Sequence, residues 1–288
     1  MLGAVALRLV VLPLWRGTQP WPQAVPGADE ASATLGLRAA VGLVLALLLI
    51  LLDQILLFRD PLSPFWAELD LLVTATTWGR MWQLQLLSGI LAMVAFWIAR
   101  ARREARISWR FAAATALFCA IIPALSGHSA GVDRFHVLAV GADALHVISA
   151  GAWLGTLGAL VVVVRAAVKR GMVASDVLPG AVVAFSPLAL LSAGTLVGTG
   201  LFATWLHVGS LGGLFGSTYG RILLVKVALV GIAAGLGAYN WRRVTPRLGS
   251  PEGARAFMSS TARSEIAMGL FVLLLTAVLV VTAHPMER

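Results

Sequence analysis

The chain has 288 residues, of which 59% are hydrophobic and only 12% are charged. Because a soluble domain carries about a quarter charged residues, this composition excludes an ordinary soluble protein and predicts one surrounded by a lipid bilayer. The formal net charge of +9 does not indicate a nucleic-acid partner, because the basic residues lie in short loops between apolar runs and form no clustered surface.

Seven apolar runs are long enough to cross a bilayer, which takes about 20 helical residues. They lie near 36–58, 81–99, 109–127, 137–164, 181–207, 219–241 and 264–284. An eighth candidate, Met1–Trp15, is short and contains Arg8 and Pro13, so it is either the inner portion of a first helix or an interfacial anchor. It has no small-residue cleavage site, so we expect no cleavable signal peptide. The sequence thus predicts an all-α protein, a polytopic transmembrane helical bundle that forms one integral membrane domain over residues 1–288.

Basic residues are distributed unevenly between the two sides of this bundle. Fifteen lie in loops and ends on one side, and five lie on the other. Since arginine and lysine are retained on the cytoplasmic side, the side with fifteen is predicted to face the cytoplasm. Its densest groups are Arg100, Arg102, Arg103, Arg106 and Arg110, then Arg165, Lys169 and Arg170, then Arg242, Arg243, Arg247, Arg255 and Arg263.

All five histidines fall on the predicted outer side. His128 ends one span, His146 lies inside the next span, and His284 ends the last. Imidazole is the commonest protein metal ligand, and it can sit near a bilayer edge without a buried charge. Met81 at the start of the second span and Met286 in the tail add thioether sulfur, which selects Cu(I). The predicted metal ligands are therefore three histidines and two methionines: His128, His146, His284, Met81 and Met286. This donor set favours copper in either oxidation state.

The remaining candidate ligands have simpler interpretations. His136 lies in a loop and is predicted to be solvated. His207 follows a tryptophan at an outer helix end and is either an interfacial residue or an entry ligand. Cys119 is the only cysteine, which excludes an intrachain disulfide and any cysteine-based zinc or iron–sulfur site. Its place inside an apolar run predicts a small buried hydrophobe.

Two ionisable residues inside spans are candidates for function, because such residues are costly in a membrane. Asp143 stands three residues before His146 and is predicted to orient that imidazole or to relay a proton. Lys226 is predicted to pair with Asp143 or Asp53, or alternatively to extend outward to the membrane surface.

Seven short stretches carry a family resemblance. They are TWGRMW at 77–82, GHSA at 127–130, DALH at 143–146, AWLG at 152–155, FSPLA at 185–189, YGRILLVK at 219–226 and YNWR at 239–242. Together they resemble the CopD family of copper resistance and copper import membrane proteins, over about residues 36–284.

The resemblance implies an eight-helix protein of the bacterial inner membrane that handles copper received from the periplasm. It points to His128 and His146, and after them to His284. Members of the family often act alongside a periplasmic CopC-like copper carrier. We see no such carrier domain in this sequence and expect a separate chain.

We therefore predict a copper transporter, not an enzyme, that captures the ion at its periplasmic rim and passes it inward. Two other functions stay open at this point. One is a b-type membrane cytochrome with histidine-ligated haem, which needs two imidazoles at matched depth on facing helices. The other is a copper-binding docking or sensor protein that moves no ion.

Overall fold

All secondary structure in the described residues is helical. The computed structural model describes residues 1–15, 21, 25, 27–60, 62–102, 105–125, 135–208, 211–280 and 282, without the side chains of residues 207 and 211. In chain order the helices are α1 (Leu2–Leu14), α2 (Ala28–Phe58), α3 (Phe65–Asp70, continuing as Leu71–Ala75), α4 (Thr77–Ala101), α5 (Arg106–Leu125), α6 (His136–Lys169), α7 (Ala174–Val208), α8 (Leu211–Gly216), α9 (Thr218–Arg247) and α10 (Pro251–Val280). This confirms the predicted all-α architecture.

Seven helices in the described chain, α2, α4, α5, α6, α7, α9 and α10, are long and apolar enough to cross a membrane. Helices suit this environment because a bilayer core has no water to hydrogen-bond exposed backbone groups. Some begin before the apolar run does. For example, α2 starts at Ala28 because Asp29 and Glu30 occupy its first turn, where the helix dipole favours acidic side chains. The predicted transmembrane bundle of seven helices plus a short N-terminal helix is confirmed.

The long helices run antiparallel to their neighbours in the chain, because short connections join them. Their ends therefore gather at two ends of the bundle. We call one the basic end, since it carries Arg102, Arg106, Arg170 and Arg247. The opposite end carries His136, and we call it the histidine end.

Helix α6 is the centre of the bundle. It packs against α1, α2, α5, α7 and α10. Leu160 and Val164 of α6 share a buried apolar cluster with Val177 and Leu178 of α7. Helix α9 lies further out and packs mainly against α8 and α10. A side chain of α9 that interacts with α6 therefore links an outer helix of the bundle to its central helix.

Helix α1 is a half-length helix inside the bundle. At about 1.5 Å per residue it is roughly 20 Å long, shorter than the hydrocarbon core of about 30 Å. Gly3 lies against Gly155 in the middle of α6, so closely that a Cβ on Gly3 would stand 1.9 Å from the Gly155 carbonyl carbon. The ring of Trp15 covers Gly180 near the start of α7. Thus α1 runs from the middle of the bundle to the basic end, as expected for the inner portion of a first membrane-spanning helix.

A buried ion pair holds α1 in place. Arg8 Nε lies 2.6 Å from Asp29 Oδ1, and the two side chains are 11% and 13% exposed. The guanidinium also lies over the rings of Trp21 at 4.6 Å and Trp109 at 5.9 Å. Because a buried charge is costly unless it is paired, Asp29 explains how an arginine is tolerated in this apolar segment.

Two spanning helices begin in the same way at the histidine end. The hydroxyls of Thr76 and Ser217 accept hydrogen bonds from the N–H groups of Gly79 at 2.8 Å and Gly220 at 2.9 Å. A Cβ on either glycine would meet a backbone oxygen of the preceding short helix, at 2.3 Å and 2.2 Å respectively. From their caps the two segments read TTWGR and STYGR. The pairs α3–α4 and α8–α9 are therefore two copies of one structural motif.

Candidate metal site

His146 contacts the neighbouring helix α7. It is half-buried in α6, and its Nδ1 lies 2.8 Å from Oγ1 of Thr199. The ring passes beside Gly200, where an added Cβ would stand 3.8 Å from its Cε1. Gly200 therefore places no side chain against this edge of the imidazole.

The hydrogen bonds of Thr199 determine which nitrogen of His146 carries the proton. The Thr199 hydroxyl donates to the carbonyl of Thr195 at 2.7 Å. Because a hydroxyl has a single hydrogen, Oγ1 must accept from His146, and we assign the proton to Nδ1 on this basis. The lone pair of Nε2 is then left for another partner. This is the arrangement by which a metal-binding histidine is oriented through its other ring nitrogen.

Two charged side chains lie near His146. Asp143 is on the same face of α6, less than one turn away. Lys226 of α9 interacts electrostatically with both Asp143 and His146. Of the two carboxylates considered for Lys226, Asp143 is the one the structure brings to it.

The four side chains lie at similar depth. Counted from the histidine end at about 1.5 Å per residue, His146, Asp143, Thr199 and Lys226 lie roughly 10–15 Å along their helices. Three helices, α6, α7 and α9, therefore contribute to one polar region inside the apolar bundle. Charged groups within a membrane protein generally face its interior and mark the route of an ion or a proton.

This region can provide an incomplete ligand set for a metal ion. It offers one imidazole nitrogen and one carboxylate, and within the described residues no group of three or more His, Cys, Asp or Glu side chains could hold a metal. The imidazole suits copper in either oxidation state. The positive charge of Lys226 opposes a bound cation, so the described groups alone would hold an ion weakly.

Three of the five predicted ligands, His128, His284 and Met286, lie outside the described residues. Whether they complete the site around His146 therefore stays a prediction. Met81 is half-buried on α4, whose main described neighbours are α2, α3 and α5. No described contact joins Met81 to His146.

The other histidines in the described residues occupy helix ends. His136 is the first residue of α6 and is exposed, in agreement with the predicted solvation. His207 stands one residue before the end of α7. Neither lies at the depth of His146, so within the described residues no second imidazole stands opposite it as haem ligation requires.

Thr199 is the residue of this region that the sequence analysis missed. Threonines inside spans commonly bond to a carbonyl of their own helix, and Thr199 does so with Thr195. The one available signal was its position between Gly198 and Gly200, where small residues allow a neighbouring helix to approach.

Comparisons with known proteins place part of the chain in a family. Residues 179–279 match the family model for copper resistance protein D, CopD. The copper transport protein CutJ of Bacillus subtilis (strain 168) is 29% identical over 217 residues, which is 74% of this chain and 38% of that relative. The chain thus spans well under half the length of the relative. No solved structure matches it.

The family match covers parts of the candidate site. Residues 179–279 include Thr199 of α7 and Lys226 of α9, while His146 lies before the matched segment. Neither the family nor the relative is named for an enzymatic activity. With the seven spanning helices and the motifs between 77 and 242, these matches confirm the resemblance to the CopD copper resistance family and indicate a multi-pass membrane protein.

Proposed function

We propose that this protein imports copper across the bacterial inner membrane, and that Nε2 of His146 takes the ion at the histidine end. The observation that carries the proposal is the 2.8 Å contact between His146 Nδ1 and Thr199 Oγ1. With the proton on Nδ1, the lone pair of Nε2 is available to bind a metal ion. The family name and the name of the relative, a copper transport protein, support copper as the cargo.

The proposal assigns the histidine end to the periplasm. The uneven distribution of basic residues supports this orientation, because the fifteen on the other side belong in the cytoplasm. A separate CopC-like copper carrier would then deliver the ion to this end. His128, His284, Met81 and Met286 are the proposed further ligands during capture.

Asp143 and Lys226 have proposed roles in passing the ion on. The Asp143 carboxylate attracts a cation entering beside His146, while the Lys226 ammonium repels it. A transport site must bind well enough to admit the ion and weakly enough to release it. The pair provides both effects beside His146.

Copper uptake into proteoliposomes tests the proposal. Vesicles loaded with a copper-responsive chelator should accumulate copper when their membrane contains the wild-type protein. With His146→Ala, uptake should fall to the level of vesicles that contain no protein. The matched control is His136→Ala, which removes an exposed imidazole from the first turn of the same helix and should leave uptake unchanged.

Two results would overturn the proposal. Normal uptake by a correctly inserted His146→Ala protein would remove this residue from the route. Copper binding without any uptake by the wild-type protein, at either orientation of the copper gradient, would show a binding or docking protein. Comparison of inward with outward gradients in vesicles of known protein orientation also gives the direction of transport.

A further inference from the structure

A groove runs along α6 on the side that faces α1, α2 and α10. Its cavity has a volume of about 390 Å³, and α6 lines it from Gly155 to Arg165. At about 1.5 Å per residue, this stretch of α6 measures roughly 15 Å. The hydrocarbon core of a bilayer is about 30 Å thick, so the groove has the depth of one leaflet. It extends from the middle of the bundle towards the basic end.

The walls of the groove are apolar. Leu35 of α2, Val162 of α6 and Ile266 of α10 line its sides. Its floor is low, since a Cβ added at Gly158 would meet no atom of the described residues within 4 Å. Val162 is 37% exposed, so this side of the groove is open to the surroundings of the bundle. Hydrocarbon fills such a space better than water does, because water needs several polar partners.

The dimensions of the groove exclude a helix as its occupant. Spread over roughly 15 Å, the volume of about 390 Å³ corresponds to a channel about 6 Å wide, whereas an α-helix with its side chains is about 10–12 Å wide. Neither a helix of a second copy nor one of another protein fits inside. A single hydrocarbon chain from one leaflet matches both the narrow width and the length.

A positive charge stands where the groove reaches the basic end. Arg165 lines the groove, is exposed, and takes part in no hydrogen bond or ion pair within the described part of the chain. The carboxylates nearby on α2 are already engaged, Asp29 with Arg8 at 2.6 Å and Glu30 with Arg170 at 3.1 Å. The guanidinium of Arg165 can therefore pair with an anion from outside the chain.

Among the described residues, no carboxylate lines the groove. Glu265 precedes the lining residue Ile266, but its carboxylate accepts a hydrogen bond from Asn240 of α9. The other charged group of the lining is the α-amino group of Met1 at the deep end, which interacts electrostatically with Cys119 of α5. It lies about one leaflet below the membrane surface, where a lipid head group does not reach. The head group is therefore selected by the positive charge of the arginine at the mouth.

We propose that the groove binds one anionic phospholipid from the leaflet at the basic end, with its phosphate on Arg165 and one acyl chain along Gly158 towards Gly155. A guanidinium suits a phosphate because it donates two parallel hydrogen bonds. Basic pockets between spanning helices on the cytoplasmic side bind anionic head groups by the same chemistry. The acyl chain fills the space between α2 and α10 and adds packing against α6. This site does not depend on copper transport.

Displacement of a labelled lipid from the purified full-length protein tests the proposal. Fluorescent phosphatidylglycerol bound to the wild-type protein in detergent should be displaced by unlabelled phosphatidylglycerol. Phosphatidylcholine with the same chains should need a concentration about fivefold higher, since one arginine near the membrane surface contributes about 1 kcal/mol towards an anionic lipid. Glycerol phosphate, which has the charge but no chain, should displace nothing. Equal displacement by the two phospholipids, or by glycerol phosphate and phosphatidylglycerol, would overturn the proposal.

Two pairs of variants test the head-group contact and the chain contact separately. Arg165→Gln should abolish the preference for phosphatidylglycerol, whereas Arg243→Gln, which changes an exposed arginine of α9 at the same end, should keep it. Gly158→Leu should weaken the binding of both phospholipids about tenfold, because the new side chain occupies the groove. Gly194→Leu, on α7, is its control, because an added Cβ there also meets no atom within 4 Å. A preserved preference in Arg165→Gln, or wild-type binding in Gly158→Leu, would overturn the proposal.

Discussion

The hydroxyl of Thr199 should control copper affinity at His146. Replacement of Thr199 by valine keeps the shape of the side chain but removes the acceptor that lies 2.8 Å from His146 Nδ1. The Nδ1–H group then loses its partner in a half-buried place, and the imidazole is free to move its proton to Nε2, where it blocks metal binding. Loss of such a partner of a metal-binding histidine typically costs about 10-fold to 100-fold in affinity.

The same magnitude follows from the free energy of the hydrogen bond. A buried donor left unsatisfied costs about 1–3 kcal/mol. At about 1.4 kcal/mol for each factor of ten, the upper part of that range corresponds to the same loss in affinity. We therefore expect Thr199→Val to weaken copper binding by about 10-fold to 100-fold while the protein stays folded.

The assay is a competition titration with a copper chelator, combined with nitrogen NMR of histidine-labelled protein to report the His146 tautomer. Thr199→Ser keeps the hydroxyl and should retain wild-type affinity. Thr195→Val is the matched control, because the Thr195 hydroxyl bonds only within its own helix, to Leu191 at 2.9 Å. Wild-type affinity in Thr199→Val, or an equal loss in Thr195→Val, would refute the assignment of Nε2 as the copper donor.

Three further predictions concern the charge beside the site, the packing of α1 and the topology. Lys226→Met should tighten copper binding about tenfold, because two unit charges about 10 Å apart interact by roughly 1.7 kcal/mol in an effective dielectric of about 20. Lys226→Arg keeps the positive charge and should not tighten binding, and weaker binding in Lys226→Met would contradict the repulsive role of the ammonium. Gly3→Ala should destabilise the protein by about 1–3 kcal/mol, as measured by thermal unfolding, whereas Gly42→Ala, which meets no atom within 4 Å, should be close to neutral. In a Cys119→Ser background, a membrane-impermeant maleimide added from the periplasmic side should label Leu62→Cys, at a position 93% exposed, but not Gly249→Cys; the reverse pattern would invert the topology.

The spanning helices could be predicted from the sequence, because lipid imposes one strong requirement on each. A run of about 20 apolar residues must be helical in a bilayer, whatever its neighbours are. The polar ends were less predictable. α4 begins at Thr77 and not near residue 81, because its start depends on the Thr76 hydroxyl and on the close approach of the preceding short helix to Gly79.

The candidate site was predictable in part. His146, Asp143 and Lys226 are unusual inside apolar runs, so the composition of each span pointed to them. Thr199 depends instead on how α7 is rotated about its axis, which the sequence pattern does not determine when every face of a helix is apolar. Cys119 shows the same limit: its burial was predicted correctly, but its neighbours on α4 were not.

Charge balance explains why an ammonium is useful beside a cation route. Asp143 and Lys226 together add no net charge to the interior, so the empty site avoids the cost of an isolated buried ion. An arriving copper ion competes with Lys226 for the same carboxylate, so it gains less than it would from an unpaired aspartate. The bound state is therefore not a deep minimum, and the ion can leave. A carboxylate alone would attract copper more strongly but would also retain it, and a lysine alone would exclude it. The pair is thus better suited to moving an ion than to storing one.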